Sequence, residues 1–256
     1  MINWEEIKKY YPNINGSEKN ILREYLQYKI LDIIFKQDIS SKISFLGGTA
    51  IKICYGSSRF SEDLDFDNFD LSSQEFNELS HKIKKELSLL GYEVEIRTVF
   101  KGAFRCYIKI PKLLLDSGLS PLKEEKLMIQ IDTAPHNFSY KPNNYLLQKF
   151  DVFTNINLTD KNILLSQKAE TILLRKRAKG RDFYDFVFLK AFSDFNWDYL
   201  NYKIKINNQK DLKAKLLERV GELDLEDLAR DVEPFLLNPN DVGRILNFKK
   251  YIEQVL

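Results

Sequence analysis

Residues 45–67 read FLGGTAIKICYGSSRFSEDLDFD, and no other stretch constrains the fold as tightly. A short apolar run, Ile43 to Leu46, ends in Gly47-Gly48. Thr49 to Tyr55 then has helical spacing, with Thr49 as the expected N-cap, and Gly56 to Ser58 reads as a turn. Asp63-Leu64-Asp65-Phe66 alternates polar and apolar, as a half-buried strand does. The order is strand, glycine pair, helix, turn, strand. Glycine lets a phosphate approach the backbone N–H groups at a helix N-terminus. A plain tight turn would use Gly-Gly equally well. Residues two apart on a strand share a face, so Asp63 and Asp65 are expected to point the same way. Two carboxylates on one face repel unless a cation sits between them, and hard oxygen donors suit Mg²⁺. A solvated strand face is the other reading of the pair. Arg59 and Ser61 precede it at the same two-residue step. They are placed to contact a phosphate, or are an ordinary surface arginine and a turn serine.

The rest of the chain supplies a frame for this motif. Residues 18–37 carry Ile21, Leu22, Tyr25, Leu26, Ile30, Ile33 and Ile34 at helical spacing. Ser72 to Leu90 is an amphipathic helix that stops near Gly91. Tyr92 to Phe100 and Ala103 to Ile110 are strand-like, and Lys101-Gly102 between them suggests a hairpin. Lys126 to Asp132 alternates again, with Leu127, Ile129 and Ile131 on one face and Met128, Gln130 and Asp132 on the other. If this strand pairs beside the first, Asp132 joins Asp63 and Asp65, and three carboxylates around two metals suit in-line phosphoryl transfer. An acid ending a strand in a turn would need no such role. Beyond about residue 150 the pattern turns helical: Ser166 to Phe192 with a break near Gly180, then further helices from Leu212. The expected fold class is α+β, with an α/β domain over 1–150 and a helical domain over 151–256.

Composition removes several alternatives. With 39 Lys+Arg against 37 Asp+Glu, the net charge of +2 excludes a polycation but allows a local basic face. Cys54 and Cys106 cannot build a disulfide framework or a four-thiolate zinc site, and read as buried thiols in a reducing compartment. His81 and His136 are too isolated for zinc, and no GxxxxGK[ST] loop occurs. The start, Met1-Ile2-Asn3-Trp4-Glu5-Glu6, has no signal-peptide pattern, and no apolar run reaches the roughly 20 residues of a membrane span. A cytoplasmic location without membrane attachment is expected.

GGTA followed by R-F-S-E-D-L-D-F resembles the nucleotidyltransferase toxins of the AbiEii/AbiGii type, within the DNA polymerase β-like superfamily. That superfamily pairs Gly-Gly or Gly-Ser at a helix start with Asp-x-Asp on the next strand and a third carboxylate on a later one. Gly47, Gly48, Asp63, Asp65 and Asp132 match in kind and order. A second block, KAETILLRKRAKGRDFYD at 168–185, is similar to the family's Lys, Arg and R-D-x-x-D pattern, here Lys168, Arg175, Arg181, Asp182 and Asp185. Lys168 and Arg175 are seven residues apart, about two helical turns, and are expected on one face. A solvated helix with an Arg181–Asp185 i,i+4 pair is the plainer reading of this block.

The resemblance implies a polymerase β-like domain, a mixed sheet flanked by helices, followed by a mainly helical domain. It implies transfer of a nucleotide from an NTP to an acceptor hydroxyl with release of pyrophosphate. Asp63, Asp65 and Asp132 would hold Mg²⁺ or Mn²⁺, with Asp132 alternatively the base. Gly47, Gly48, Thr49, Arg59 and Ser61 would bind the nucleotide, as would Lys168, Arg175, Arg181, Asp182 and Asp185, and Lys168 would also be catalytic, neutralising developing charge with Arg59 and Arg175. Asp182 would orient Lys168 or reach the nucleotide itself. The implied setting is a bacterial toxin–antitoxin or abortive-infection system, with a separately encoded antitoxin and the 3′ end of tRNA as acceptor. A protein or small-molecule acceptor, or an inactive interaction module of the same fold, are the rival readings.

Overall fold

The computed structural model describes residues 3–11 and 16–256, so Met1 and Ile2 of the amino-terminal reading lie outside it. The chain divides into two compact units. The first comprises residues 1–55, 60–137 and 141–158; the second comprises 56–59, 138–140 and 159–256.

The first unit is built on a seven-stranded sheet. Its strands are β1 (Ile43–Leu46), β2 (Leu64–Asn68), β3 (Glu95–Val99), β4 (Phe104–Ile110), β5 (Leu127–Ala134), β6 (Asn143–Lys149) and β7 (Val152–Leu158). The order across the sheet is β3-β4-β5-β2-β1-β7-β6. β2 pairs with β5, and β1 with β7, in parallel; the other pairings are antiparallel. This mixed sheet, flanked by helices, gives the expected α+β class. Phe45, Leu64, Phe66, Ile129 and Ile131 are all buried on one face. Each such side chain withdrawn from water contributes roughly 1.5–3 kcal/mol. The helix Glu18–Phe35, predicted over 18–37, packs on β7 and β5 and is buried nearly all round. Ser72 caps the helix Ser73–Leu89 in a reciprocal arrangement with Glu75, which explains its sharp start.

Several local expectations need correction. The helix expected to begin after Thr49 begins at Gly47 and runs to Tyr55, so Thr49 lies inside it. Gly47 has φ +80°, a left-handed turn that lets the helix follow β1 without a linker. β2 begins at Leu64, leaving Asp63 immediately before it, and runs on to Asn68. The β6–β7 hairpin has no counterpart in the sequence reading. Its turn places Phe150 at φ +57°, where glycine or asparagine is usual. Edge contacts with Tyr10, Tyr25 and Tyr28 at 4.8, 5.3 and 5.3 Å surround the ring there.

The second unit is helical. The stretch read as one broken helix from Ser166 is two helices, Lys161–Leu174 and Gly180–Lys190. The first starts earlier because Asp160 caps it through the Asn162 N–H. The break falls at 175–179, as expected near Gly180, which is the first residue of the second helix. A Cβ there would overlap the Leu228 carbonyl oxygen and lie 2.9 Å from its carbon, so glycine permits close packing on the helix Leu225–Val232. The helices Trp197–Ile204, Gln209–Gly221 and Phe248–Val255 complete the unit. No helix of the described residues is long and apolar enough to cross a membrane. Cys106 is buried and Cys54 half-buried, and neither forms a disulfide.

Candidate active site

In the first unit, sheet register assembles the acidic residues. The parallel pairing of β2 and β5 sets Asp65 directly beside Asp132. The antiparallel partners extend the same row to Leu46 on one side and Arg105 on the other. Paired residues in a sheet share a face, so Asp65, Asp132 and Arg105 lie side by side. Asp132 Oδ2 accepts from Arg105 Nε at 3.1 Å and from Gln130 Nε2 at 2.9 Å. These two donors fix the carboxylate's orientation. Arg105 is a functional candidate the sequence did not reveal; only the register, 27 residues away in the chain, brings it to Asp132.

Gly47 closes the other side of Asp65. A Cβ on Gly47 would overlap Asp65 Oδ2 and lie 2.9 Å from Asp65 Cβ and Cγ. The glycine is therefore required twice, by its positive φ and by the carboxylate against it. Thr49 Oγ1 donates to the Asp63 carbonyl, tying the helix Gly47–Tyr55 to the segment that enters β2. Gln27, almost fully buried, donates to the carbonyls of Ser61 and Glu62 at 2.9 Å each. The loop carrying Ser61 and Asp63 is thus held from two helices. Asp67, two residues beyond Asp65, accepts from the His136 N–H at 2.8 Å and leaves its buried Oδ2 unpaired.

The expectation is that Asp63, Asp65 and Asp132 together hold the metal. Among the described residues no group of three or more His, Cys, Asp or Glu side chains has metal-holding geometry. Asp132 turns its Oδ2 to Arg105 and Gln130. Asp63 stands immediately before β2 and Asp65 within it, two residues apart in the chain. The chemistry of two carboxylates would suit Mg²⁺, which commonly takes one or two of them and completes its shell with phosphates and water.

In the second unit, the other motif residues form a chain of ion pairs. Arg59 donates to Asp185 through Nε at 2.9 Å and Nη2 at 2.7 Å, with the two side chains 2% and 0% exposed. Lys168 Nζ bridges Asp185 at 2.8 Å and Asp182 at 3.0 Å, and Arg175 reaches Asp182 at 2.6 Å. Burial alone would raise the Asp185 carboxyl, but the Arg59 guanidinium and the Lys168 ammonium outweigh it and hold the group below the ordinary aspartate range. Burial likewise pulls Lys168 down, and Asp185 with Asp182 more than offsets it, leaving the ammonium above its usual value. The Arg59 backbone also bridges Leu236, and the Leu237 N–H donates to the Ser58 carbonyl.

This arrangement revises two expectations. Arg59, read as a phosphate contact or as an ordinary surface arginine, is buried with its guanidinium on Asp185. Lys168 and Arg175 do not share a helix face, because the helix ends at Leu174 and Arg175 turns extended (ψ 121°). They meet at Asp182 instead. The Arg181–Asp185 pair does not form: Asp185 is engaged by Arg59 and Lys168, and Arg181 makes no ion pair among the described residues.

The family model for the AbiEii nucleotidyl transferase toxin, of a type IV toxin–antitoxin system, matches residues 29–247. The chain belongs to this family. It is a nucleotidyltransferase of the AbiEii toxin type, and membership implies an NTP substrate and an antitoxin partner. The fold is also similar to solved structures. The nucleotidyltransferase toxin MenT4 (Rv2826c) of Mycobacterium tuberculosis H37Rv aligns with TM-score 0.59 at 12% identity, over 99% of this chain and 90% of that one. JHP933 from Helicobacter pylori aligns with TM-score 0.56 at 17% identity, over 93% and 92%. Among curated protein sequences, none matches. In this AbiEii-family chain the glycine pair and Asp-x-Asp fall on the β1–helix–β2 segment.

Proposed function

We propose that this AbiEii-family enzyme transfers a nucleotide from an NTP to the 3′ end of tRNA. The observation that carries the reading is the Asp65–Asp132 pairing across β2 and β5, with Gly47 packed against Asp65. Asp63 and Asp65 would hold Mg²⁺ or Mn²⁺, which when bound neutralises phosphate charge and supports departure of pyrophosphate. The N–H groups at the start of the helix Gly47–Tyr55 bind phosphate, with Gly48 and Thr49 nearest. Ser61 lies on the loop that Gln27 pins. Asp132, oriented by Arg105 and Gln130, accepts the proton of the attacking hydroxyl. The acceptor oxygen forms its bond to the α-phosphorus as the bond from that phosphorus to the bridging oxygen breaks. Both electrons of the breaking bond leave with pyrophosphate.

In the second unit, Arg175 and Arg181 are proposed phosphate contacts. Lys168, Asp182, Asp185 and Arg59 hold that region rigid. A type IV antitoxin would relieve the resulting block on translation.

The test is label transfer. Purified protein is incubated with each α-labelled NTP, a divalent cation and total bacterial tRNA, beside a tube without RNA and an Asp65→Ala control. Label on tRNA that vanishes in the variant is the expected result. Label appearing on protein or on a small molecule instead would overturn the tRNA assignment.

A further inference from the structure

The second unit holds a cleft of about 590 Å³ that no residue of the proposed catalytic set lines. Leu173 and Leu174 border it, as do residues 203–206 and one side of the helix Gln209–Gly221. Four cations face it, Lys203, Lys205, Lys215 and Arg219, against two acids, Glu218 and Glu222. Arg219 takes up Glu222 at 2.9 Å and donates to the carbonyls of Ile172 and Arg175, closing the end of the helix Lys161–Leu174. Lys205 and Lys215 make no ion pair among the described residues, and both are exposed.

An aromatic cluster adjoins the cleft through Lys203. Its ammonium lies over the rings of Tyr202 and Tyr199, at 5.7 and 5.9 Å from their centroids. Tyr202 is 50% exposed. Phe138 packs at 5.9 Å from Tyr202 and 5.1 Å from Tyr199, which holds the aromatic group in place. An accessible ring beside a run of cations is what single-stranded nucleic acid requires: the ring stacks a base and the cations track phosphates. An acidic peptide would use the lysines but has no need of the ring.

We propose that this cleft and Tyr202 together bind a single-stranded RNA segment of the acceptor. This rests on the reading of RNA as acceptor and adds where the second unit grips it. The test uses the full chain, a fluorescently labelled single-stranded RNA dodecamer, and anisotropy titrations between 50 and 200 mM salt. One variant is Lys205→Asn with Lys215→Gln. Asparagine is chosen because residue 205 sits at φ +59°, a conformation it tolerates. The other is Tyr202→Ala. Circular dichroism and NTP titration check that both remain folded and bind nucleotide as the parent does.

The lysine variant is expected to weaken RNA binding about tenfold at low salt and to reduce the salt slope by about 1.4, at roughly 0.7 per phosphate contact. Tyr202→Ala is expected to weaken binding about fivefold or more, with the salt slope unchanged. Parent-like RNA affinity in both variants would overturn the proposal. So would a poly-glutamate peptide that binds the cleft more tightly than the RNA does. If the parent labels tRNA and the cleft variants label it equally well, the cleft fails while the acceptor reading stands. If the parent binds the dodecamer through these residues but labels no RNA, the acceptor reading fails alone.

Discussion

Replacing Gly47 with alanine separates two demands that the structure places on one residue. The backbone demand is φ +80°, which costs an alanine about 1–2 kcal/mol. The packing demand comes from Asp65, since the new Cβ would overlap Oδ2 and crowd Cβ and Cγ at 2.9 Å. Forcing a methyl into such a contact costs about 1–3 kcal/mol. The sum is about 2–5 kcal/mol, or about 4–20 °C in melting temperature at roughly 2–4 °C per kcal/mol. Gly56 supplies the control. It has nearly the same φ, +79°, yet a Cβ there meets nothing within 4 Å. Gly56→Ala should therefore show only the backbone part, about 2–8 °C. The variants should also differ in catalysis. Relief of the Gly47 clash moves the Asp65 carboxylate, and a displacement of about 1 Å can cost roughly a hundredfold in rate. Thermal melts followed by circular dichroism and label-transfer rates at 25 °C measure both. Equal melting temperatures and equal rates for the two variants would refute the claim that Gly47 is kept for Asp65.

Three further outcomes follow from the second unit and from β4. Asp185→Asn leaves Arg59 and Lys168 buried without their shared countercharge. It should cost about 3–5 kcal/mol in a urea titration, and a loss under about 1 kcal/mol would contradict the ion-pair reading. Because the Asp185 carboxyl titrates below its ordinary value, its contribution is fully present above about pH 4 and is lost as pH falls through the folded value. Melts from pH 6 down to pH 2 should show an acid-side decline in the parent that is smaller in Asp185→Asn, and parallel curves would argue against it. Arg105→Ala removes a donor from Asp132, and steady-state kinetics should show kcat reduced roughly tenfold or more with the NTP KM little changed; an unchanged kcat would remove Arg105 from the site.

What the sequence disclosed was chemistry confined to a few neighbouring residues. Gly47-Gly48 and Asp63-Leu64-Asp65 lie close in the chain, so a helix start and a strand place them without knowledge of the tertiary fold. Asp132 was reachable because alternation in 126–132 assigned its face, although not its neighbour. Arg105 was not, because its place beside Asp132 depends on strand register, which alternation alone does not set. The Arg59–Asp185 pair spans 126 residues, and nothing local marks an arginine between a serine and a phenylalanine as buried. Strands β6 and β7 escaped notice for a different reason. NNYLLQK is largely exposed and blurs the alternation, and its turn uses Phe150 where the usual turn residues would have given a signal. Gly180 announced the break between the two helices but not its start at Leu174, since Arg175 to Lys179 contains no glycine or proline.

The most direct measurement is single-turnover pyrophosphate release by Asp65→Asn and Asp132→Asn, each confirmed folded by its circular dichroism and melting curve. Both amides keep the shape of the side chain while removing its charge. If the β2–β5 carboxylate row performs nucleotidyl transfer, each variant should lose at least about a hundredfold in rate. Release at the parent rate from folded Asp65→Asn would contradict the account by placing the reaction elsewhere in the molecule, and from folded Asp132→Asn it would remove Asp132 as the base.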